Sequence, residues 1–309
     1  MSPRVAAISV DLDEVRCYAA IHGLAPPTPE AERAIYRKAL PRLRRLFDEL
    51  DVRATFFAIG EDIDEENGEA LRELVEEGHE VANHSLSHLY DLTRRPEDEI
   101  RREIAGGMEA IERATGVVPV GFRAPGYTIT DEVFDVLESL GVHYDSSVFP
   151  CPAYYGAKAA AIQWIRARGR RSHSVVDDPR VLTAPADPYR VGRPYWRRGH
   201  SMIELPVGVS RGPRLPYIGT TVVLSGQLGA RLLTRSIVGR PLVNLELHGI
   251  DLADADEDGL GFLIPHQGDL RRSAAEKAAA LRSAVDELRS TGHTFLTCAQ
   301  AALAFDESL

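Results

Sequence analysis

Short apolar runs rich in β-branched residues alternate with amphipathic stretches at helical spacing along most of this chain. That alternation limits the fold more than any other feature. Arg4–Val10 reads as a buried strand, Glu30–Leu50 as a helix, and Arg53–Ile59 (RATFFAI) as a second strand. Glu69–Glu77 reads as a helix ended by Gly78, and Glu80–Ala82 as a short third strand. Pro96–Thr115 has the marks of a helix, with Pro near its first turn and Gly116 past its end. Val117–Phe122 reads as a fourth strand, Asp131–Leu140 as a helix closed by Gly141, and Val142–Tyr144 as the next strand. Met202–Leu205 and Leu242–Leu247 are strand-like, Ser273–Arg289 is helical, and His293–Thr297 is strand-like again. Repeated β-then-α units joined by short turns require a mostly parallel sheet with helical crossovers. A chain of 309 residues suits a single α/β barrel, whose site lies at the C-terminal strand ends.

The stretch from Tyr155 to Tyr195 breaks the alternation. A basic helix-like segment, AKAAAIQWIRARGRRS, is followed by a run through Pro179, Pro185, Pro188 and Pro194. It is too short and too polar for a core of its own. Residues 1–309 are therefore expected to form one domain with an insertion at about 155–200.

The barrel rule sorts the polar residues. Asp11 and Asp13, His84 and His88, Arg123, Asp145, and His248 each follow an apolar run, where a strand should end. Polar loops in general explain any one of these and explain the set poorly. Two imidazoles four positions apart, with one carboxylate, are the ligand type and number of a catalytic zinc-like site that keeps a position open for water.

In chain order, VDLDEV, NHSLSH, GFRAPGY, HYDSSVFP and LELHG resemble the five motifs of the polysaccharide deacetylase family, the NodB-homology enzymes of carbohydrate esterase family 4. The motifs run from about Val10 to Gly249. The resemblance implies a distorted (β/α)7 barrel and metal-dependent removal of an acyl group from an amide nitrogen, usually on an N-acetylated sugar. It implies Asp13, His84 and His88 as ligands of one divalent ion, most plausibly Zn2+, with Co2+ or Ni2+ also suited to this ligand set. Asp11 is then the general base and His248 the general acid that protonates the leaving nitrogen. Arg123 positions the catalytic Asp by a bidentate contact, and Asp145 pairs with the catalytic His and tunes its pKa. The alternative for Arg123 and Asp145 is a structural ion pair, including one with each other. By alignment of the motif, the backbone N–H of Gly126 faces the developing oxyanion. Many relatives carry an aromatic residue at that position, so Gly126 is expected to leave the pocket more open, with Tyr127 lining the substrate. The first motif often places its two aspartates side by side. Here Leu12 separates them, as in a subgroup whose second Asp binds metal, and the strand is expected to end or bulge at Leu12. Glu14 is a spare carboxylate.

A formal charge of −10 disfavours general nucleic-acid binding. Cys17, Cys151 and Cys298 are odd in number and widely spaced, which points away from a disulfide framework and toward a reducing compartment. The start, Met1-Ser2-Pro3-Arg4, passes into an apolar run too short for a signal peptide, and no run has membrane-spanning length. A cytoplasmic location is expected, with peripheral membrane contact and oligomerisation left open. Arg166, Arg168, Arg170 and Arg171 form the one basic cluster, read either as a solvated helix end or as a contact for phosphate or an anionic headgroup. Asp254, Asp256 and Asp258 begin like a calcium loop, but Pro265 stands where the bidentate carboxylate belongs, so they read as a solvated acidic loop near the mouth, with His266 in reach of substrate.

The expected activity is deacylation of an N-acylated sugar, a sugar nucleotide, a lipid-linked sugar or a small amide. The competing readings are a deformylase of a lipid-linked amino sugar, a cyclic-amide hydrolase, and a non-catalytic glycan-binding barrel.

Overall fold

The computed structural model describes residues 4–307, so the leaderless start read from Met1–Pro3 lies outside the described residues. In chain order the elements are β1 (Val5–Asp11), α1 (Val15–His22), α2 (Pro29–Glu32), α3 (Leu40–Glu49), β2 (Thr55–Ala58), α4 (Glu65–Glu76), β3 (Glu80–Asn83), α5 (Glu97–Thr115) and β4 (Gly121–Phe122). They continue with α6 (Asp131–Ser139), β5 (Tyr144–Asp145), α7 (Pro152–Ala167), β6 (Tyr189–Val191), β7 (Arg198–Glu204), α8 (Gly219–Ile237), β8 (Leu242–His248), α9 (Ala274–Ser290), β9 (Thr294–Phe295) and α10 (Cys298–Asp306).

The strands form one curled sheet in the order β6-β7-β5-β4-β3-β2-β1-β8, with β9 also on β1. All pairings are parallel except the β6–β7 hairpin. The fold is the expected distorted (β/α)7 type, but the sheet is a half-barrel and not a closed ring. The gap beside β8 is spanned by irregular chain: the Gly208 N–H donates to the Asn244 carbonyl at 2.9 Å, and the Asn244 Nδ2 donates to the Leu205 carbonyl at 3.1 Å. Burial on both faces explains the unbroken apolar reading of β1, which is inaccessible along its whole length.

The helix expected over Glu30–Leu50 is broken. After α2 the chain makes a π-helical turn over Ile35–Ala39 before α3 begins. Two causes act here. Pro41 has no N–H to give to the previous turn, and the buried Glu14 carboxylate accepts the backbone N–H groups of Ile35 and Tyr36, both at 3.2 Å. The region expected as an insertion also divides. Its first part is α7 and irregular chain, whereas residues 189–200 belong to the β6–β7 hairpin at the sheet edge. Val181, Tyr189, Val191 and Tyr195 pack with Phe122 and Phe134 in one apolar cluster, so the segment borrows the main core. Helix α8 is absent from the pattern reading because its Thr, Val and Gly content is poor for a helix, and the chain breaks direction inside it at Gly226 (φ 66°).

Candidate active site

Register puts the pieces together. Strand β1 lies between β2 and β8, and Asp11 is the lateral partner of both Phe57 and His248. The strand ends at Asp11, and positions two apart lie on one side of a strand in any case, so Asp11 and Asp13 face one pocket without a bulge. Strand β3 ends at Asn83 and hands the chain to His84.

The motif Asn83–His88 is a turn built by its own polar residues. Asn83 Oδ1 accepts the Ser85 N–H at 3.0 Å, while its Nδ2 donates to the Ile104 carbonyl of α5 at 2.9 Å. Ser85 Oγ accepts the His88 N–H at 3.0 Å, and Glu103 accepts from Ser87 through both N–H (2.9 Å) and Oγ (2.7 Å). Ser85 and His88 both sit at positive φ, 67° and 57°, which these bonds hold in place. A Cβ at Gly107 would stand 2.2 Å from Asn83 Oδ1, so α5 can carry only glycine there. The two imidazoles end with ring centroids 4.8 Å apart.

Asp13, His84 and His88 are buried, and one ligand atom from each lies within 4.8 Å of the others. Asp13 Oδ1 is 3.3 Å from His84 Nε2, and Asp13 Oδ2 is 3.4 Å from His88 Nε2. Tetrahedral zinc with bonds of ~2.0–2.1 Å separates its ligand atoms by about 3.3 Å, so the spacing fits. The His84 Nδ1 lies 2.7 Å from the Arg123 carbonyl, which takes the one N–H of neutral imidazole and leaves the Nε2 lone pair facing the carboxylate. Asp13 Oδ1 is buried with no hydrogen-bond partner. With both rings neutral, lone pairs face lone pairs at this point, an arrangement that suits a bound cation. Burial pushes the His88 pKa down to about 4, which keeps that ring neutral, the form a metal ligand needs. Burial opposes protonation of His84 as well, but Asp11 and Asp13 together raise it.

Arg123 is fully buried, and each of its three nitrogens donates. Nη1 donates to Asp11 Oδ1 at 2.6 Å, Nη2 to Ser9 Oγ and Ser146 Oγ at 2.9 Å each, and Nε to the Ser146 carbonyl at 2.8 Å. The guanidinium also lies over the Phe57 ring, 4.1 Å from its centroid. The contact with Asp11 is through one nitrogen and not bidentate, because the second nitrogen serves the two serines.

His248 ends β8 with Nδ1 2.8 Å from Glu246 Oε1 and Nε2 3.9 Å from Asp13 Oδ2. Burial works against its charge, but Glu246, Asp13 and Asp11 raise its pKa well above the ordinary value. The carboxylate that pairs with this histidine is thus Glu246, not Asp145. Asp145 lies on β5, across the open gap from β8, and its oxygens accept from Ser147 Oγ (2.8 Å) and N–H (2.9 Å). Its neighbour across the strands is Glu204, whose pKa burial and Asp145 push far up. Among the described residues Arg123 and Asp145 form no ion pair. The signal for Glu246 was present in LELH: positions two apart on a strand share a face.

Tyr127 lies edge-on to His248 with centroids 6.2 Å apart, as does Tyr18, and neither hydroxyl has a partner among the described residues. Gly126 does not open the pocket. A Cβ there would meet the Tyr90 ring at 3.2 Å and Lys158 Nζ at 3.4 Å, and Lys158 donates to the Gly126 carbonyl at 2.7 Å. Glu14 caps α1 and the π-helical turn and takes no part in the ligand set. The acidic loop is not merely solvated: Asp258 pairs with Arg42 at 2.6 Å, and Asp254 caps its own turn and α9. His266 lies against His22, with centroids 5.2 Å apart. Asp251 escaped the pattern reading. Its Oδ2 accepts the His248 N–H at 2.9 Å and so fixes the turn after β8.

Comparison with known proteins bears on the family and the fold. Residues 33–144 match the polysaccharide deacetylase family model. The chain is 29% identical over 146 residues to a peptidoglycan deacetylase of Helicobacter pylori, covering 46% of this chain and 48% of the relative. It is 31% identical over 101 residues to a peptidoglycan-N-acetylglucosamine deacetylase of Bacillus cereus (33% and 46%). A chitooligosaccharide deacetylase of Bradyrhizobium is 37% identical over 92 residues (29% and 41%). The matches span less than half the length of these curated relatives. Among solved structures, that of a proposed polysaccharide deacetylase from Mycobacterium smegmatis superposes with a TM-score of 0.63 at 20% identity, covering 100% of this chain and 93% of that one. At that identity the likeness is one of fold.

Proposed function

We propose that this chain is a metal-dependent amidohydrolase that removes an acyl group, most simply acetyl, from the nitrogen of an amino sugar. The observation that carries the reading is the buried Asp13–His84–His88 trio with its unpartnered Asp13 Oδ1, flanked by Asp11 on one side and His248 on the other. A divalent ion held by the trio, zinc being the best fit to two imidazoles and a carboxylate, supplies polarisation of the acyl carbonyl and acidification of water.

The chain's own residues do the rest. Asp11 is held by Arg123 through Oδ1, which leaves Oδ2 turned toward His84 at 3.7 Å and available to take a proton from the attacking water. The oxygen adds to the acyl carbon, and the nitrogen must then leave. An amide nitrogen leaves only as the protonated amine. His248 supplies that proton from Nε2, the nitrogen facing the centre, while Glu246 at Nδ1 favours the imidazolium. The products are a carboxylate and a free amine. Gly126 and Tyr127 are assigned to the oxyanion and substrate side by their motif and by the contact of Tyr127 with His248.

The names of the relatives support a glycan substrate, since the similar proteins are deacetylases of peptidoglycan and chitooligosaccharide. Among the described residues no helix is long and apolar enough to cross a membrane. The full set of ligands, base and acid favours turnover over a binding-only barrel. The test is acetate release from N-acetylglucosamine oligosaccharides, with metal content measured in the same samples. One metal per chain and chelator-sensitive release are expected, and His84→Ala should lose both while its circular dichroism stays native. Release of formate from a formylated amino sugar, with none of acetate, would assign the deformylase reading. Full activity in the metal-free protein would remove the mechanism.

A further inference from the structure

The motif that the deacylation chemistry leaves unused is the basic cluster that follows α7. It returns to the site. A cleft of about 620 Å³ has His88 and Tyr90 in its wall, and the same wall carries Arg16, Arg94, Arg95, Arg166 and Arg171. Its one carboxylate, Asp91, is already engaged by Arg95 at 2.9 Å. Arg16 is engaged by Asp62 at 2.7 Å. Arg94, Arg166 and Arg171 have no acidic partner among the described residues. In a chain of net charge −10, three unneutralised guanidiniums around one cavity are a concentration of charge that the fold itself does not use.

The segment that brings two of them is tied down. Ser172 Oγ donates to the Ile21 carbonyl at 2.7 Å, and the His173 N–H to the Ala20 carbonyl at 3.4 Å. A Cβ at Gly23, which sits at φ 62°, would stand 2.8 Å from the Arg171 carbonyl oxygen, so the two chains touch backbone to backbone. Helix α1 begins just after the ligand Asp13, so its C-terminal end fixes the basic loop relative to the ligand trio.

We propose that this cleft is a subsite for a phosphoryl group carried by the substrate, which makes the substrate a phosphorylated N-acyl amino sugar. The proposal rests on the amidohydrolase reading above for the identity of the sugar, though not for the anion site. Phosphate matches the donors. Guanidinium forks bind its oxygens two at a time, and a phosphoryl group offers three oxygens and up to two charges to three arginines, where a carboxylate satisfies one fork. The shared wall at His88 sets the anion beside the reacting centre and so argues for a group on the substrate.

The test is calorimetric binding to the metal-loaded full chain. N-acetylglucosamine 1-phosphate is compared with N-acetylglucosamine and with the carboxylated N-acetylmuramic acid, and inorganic phosphate serves as competitor. Two further arms separate the sources of the phosphoryl group: UDP-N-acetylglucosamine in solution, and polyprenyl-phosphate-linked N-acetylglucosamine in phosphatidylcholine vesicles. The expected result is that at least one phosphorylated probe binds tenfold or more tightly than the neutral sugar, is displaced by phosphate, and weakens about tenfold in Arg166→Gln/Arg171→Gln. Arg94→Gln, on a different element, should weaken it independently. Equal affinity for phosphorylated and neutral sugar, undiminished phosphate binding in both variants, or equal binding of the carboxylated sugar would each overturn the proposal. Binding is read without turnover. Failure to hydrolyse any N-acyl sugar therefore removes the amidohydrolase reading alone, whereas hydrolysis of neutral sugars without phosphoryl preference removes the subsite alone.

Discussion

Replacing Arg123 by Met should uncouple two things that the wild-type residue joins, stability and the readiness of Asp11. The guanidinium is wholly buried and 2.6 Å from an equally buried carboxylate oxygen. At that separation and an effective dielectric of about 20, the direct attraction is on the order of 6 kcal/mol. Most of it offsets the cost of taking both ions out of water, so the net worth of the pair is small, while removal of one partner strands the other. The expected loss in Arg123→Met is about 3–5 kcal/mol. For a chain of 309 residues that lowers the melting temperature by about 5–8 °C. Without its counter-ion and positioning contact the Asp11 carboxylate is stranded, so activity falls by at least about a hundredfold, the scale of a lost general base. Asp11→Leu in the Met background then removes the stranded acid. The double variant should recover at least about 2 kcal/mol relative to the sum of the single changes while remaining inactive, a coupling far beyond the additivity of independent sites. Denaturant melts of the four proteins measure this directly. Single-variant costs that simply add, to within about 0.5 kcal/mol, would refute the picture of a buried pair held for function and not for stability.

Glu246→Gln keeps the shape of the histidine's partner and removes its charge; kcat should drop about a hundredfold with KM within about threefold, whereas Asp145→Asn should change kcat less than tenfold. Steady-state kinetics that rank the two the other way would return the histidine to Asp145. Lys277 is buried against Asp269 at 3.0 Å and donates to the carbonyls of Ile250 and Ala253 in the turn after His248. Lys277→Met should cost about 3–5 kcal/mol, and adding Asp269→Leu should restore much of it in the same melt. His79 Nδ1 accepts the Ala54 N–H at 3.0 Å, and burial holds its pKa down at about 4. The unfolded chain therefore binds this proton first as pH falls, so His79 supports the fold fully above about 6.5 and progressively less toward 4. Parent and His79→Gln melts should diverge in slope by at most about 1.4 kcal/mol per pH unit across that window, and parallel curves would exclude the linkage.

What the sequence made legible follows from locality. The clustering of the candidate site could be read because a strand end and a turn deliver it within a few residues: Asp11 and Asp13 at one strand, and His84 and His88 on a turn whose Asn83, Ser85 and Ser87 are all committed to shaping it. The helix ends marked by Gly116 and Gly141 could be read for the same reason, since a left-handed residue past a helix is a local requirement. What failed depended on distance. The π-helical turn needs Glu14, far back in the chain, to reach the N–H groups of Ile35 and Tyr36. The exchange of Asp145 for Glu246 is half local: the period of two in LELH offers Glu246, but only the place where the sheet stays open excludes Asp145. Helix α8 forms against its own propensity because it packs on β8 and α9, and tertiary burial overrides a weak local preference.

The same distinction bears on how the site is held. Each proposed group is held by a named partner: Asp11 on β1 by Arg123 after β4, His84 after β3 by the Arg123 carbonyl, and His248 by Glu246 of its own strand and by Asp251 in the turn that follows. Arg123 thus serves both the proposed base, through its side chain, and a proposed metal ligand, through its backbone. A displacement of that one residue moves the proton acceptor and the ligand ring together. The unpartnered atoms tell the complementary story. Asp13 Oδ1, His88 Nδ1 and the hydroxyls of Tyr18 and Tyr127 are buried polar groups left without hydrogen-bond partners among the described residues, in a fold that gives every nitrogen of Arg123 an acceptor. Leaving them so costs about 1–3 kcal/mol each. A bound ion and substrate would remove that cost at these four atoms, whereas unpartnered atoms elsewhere, such as Ser201 Oγ and His293 Nε2, gain nothing from them.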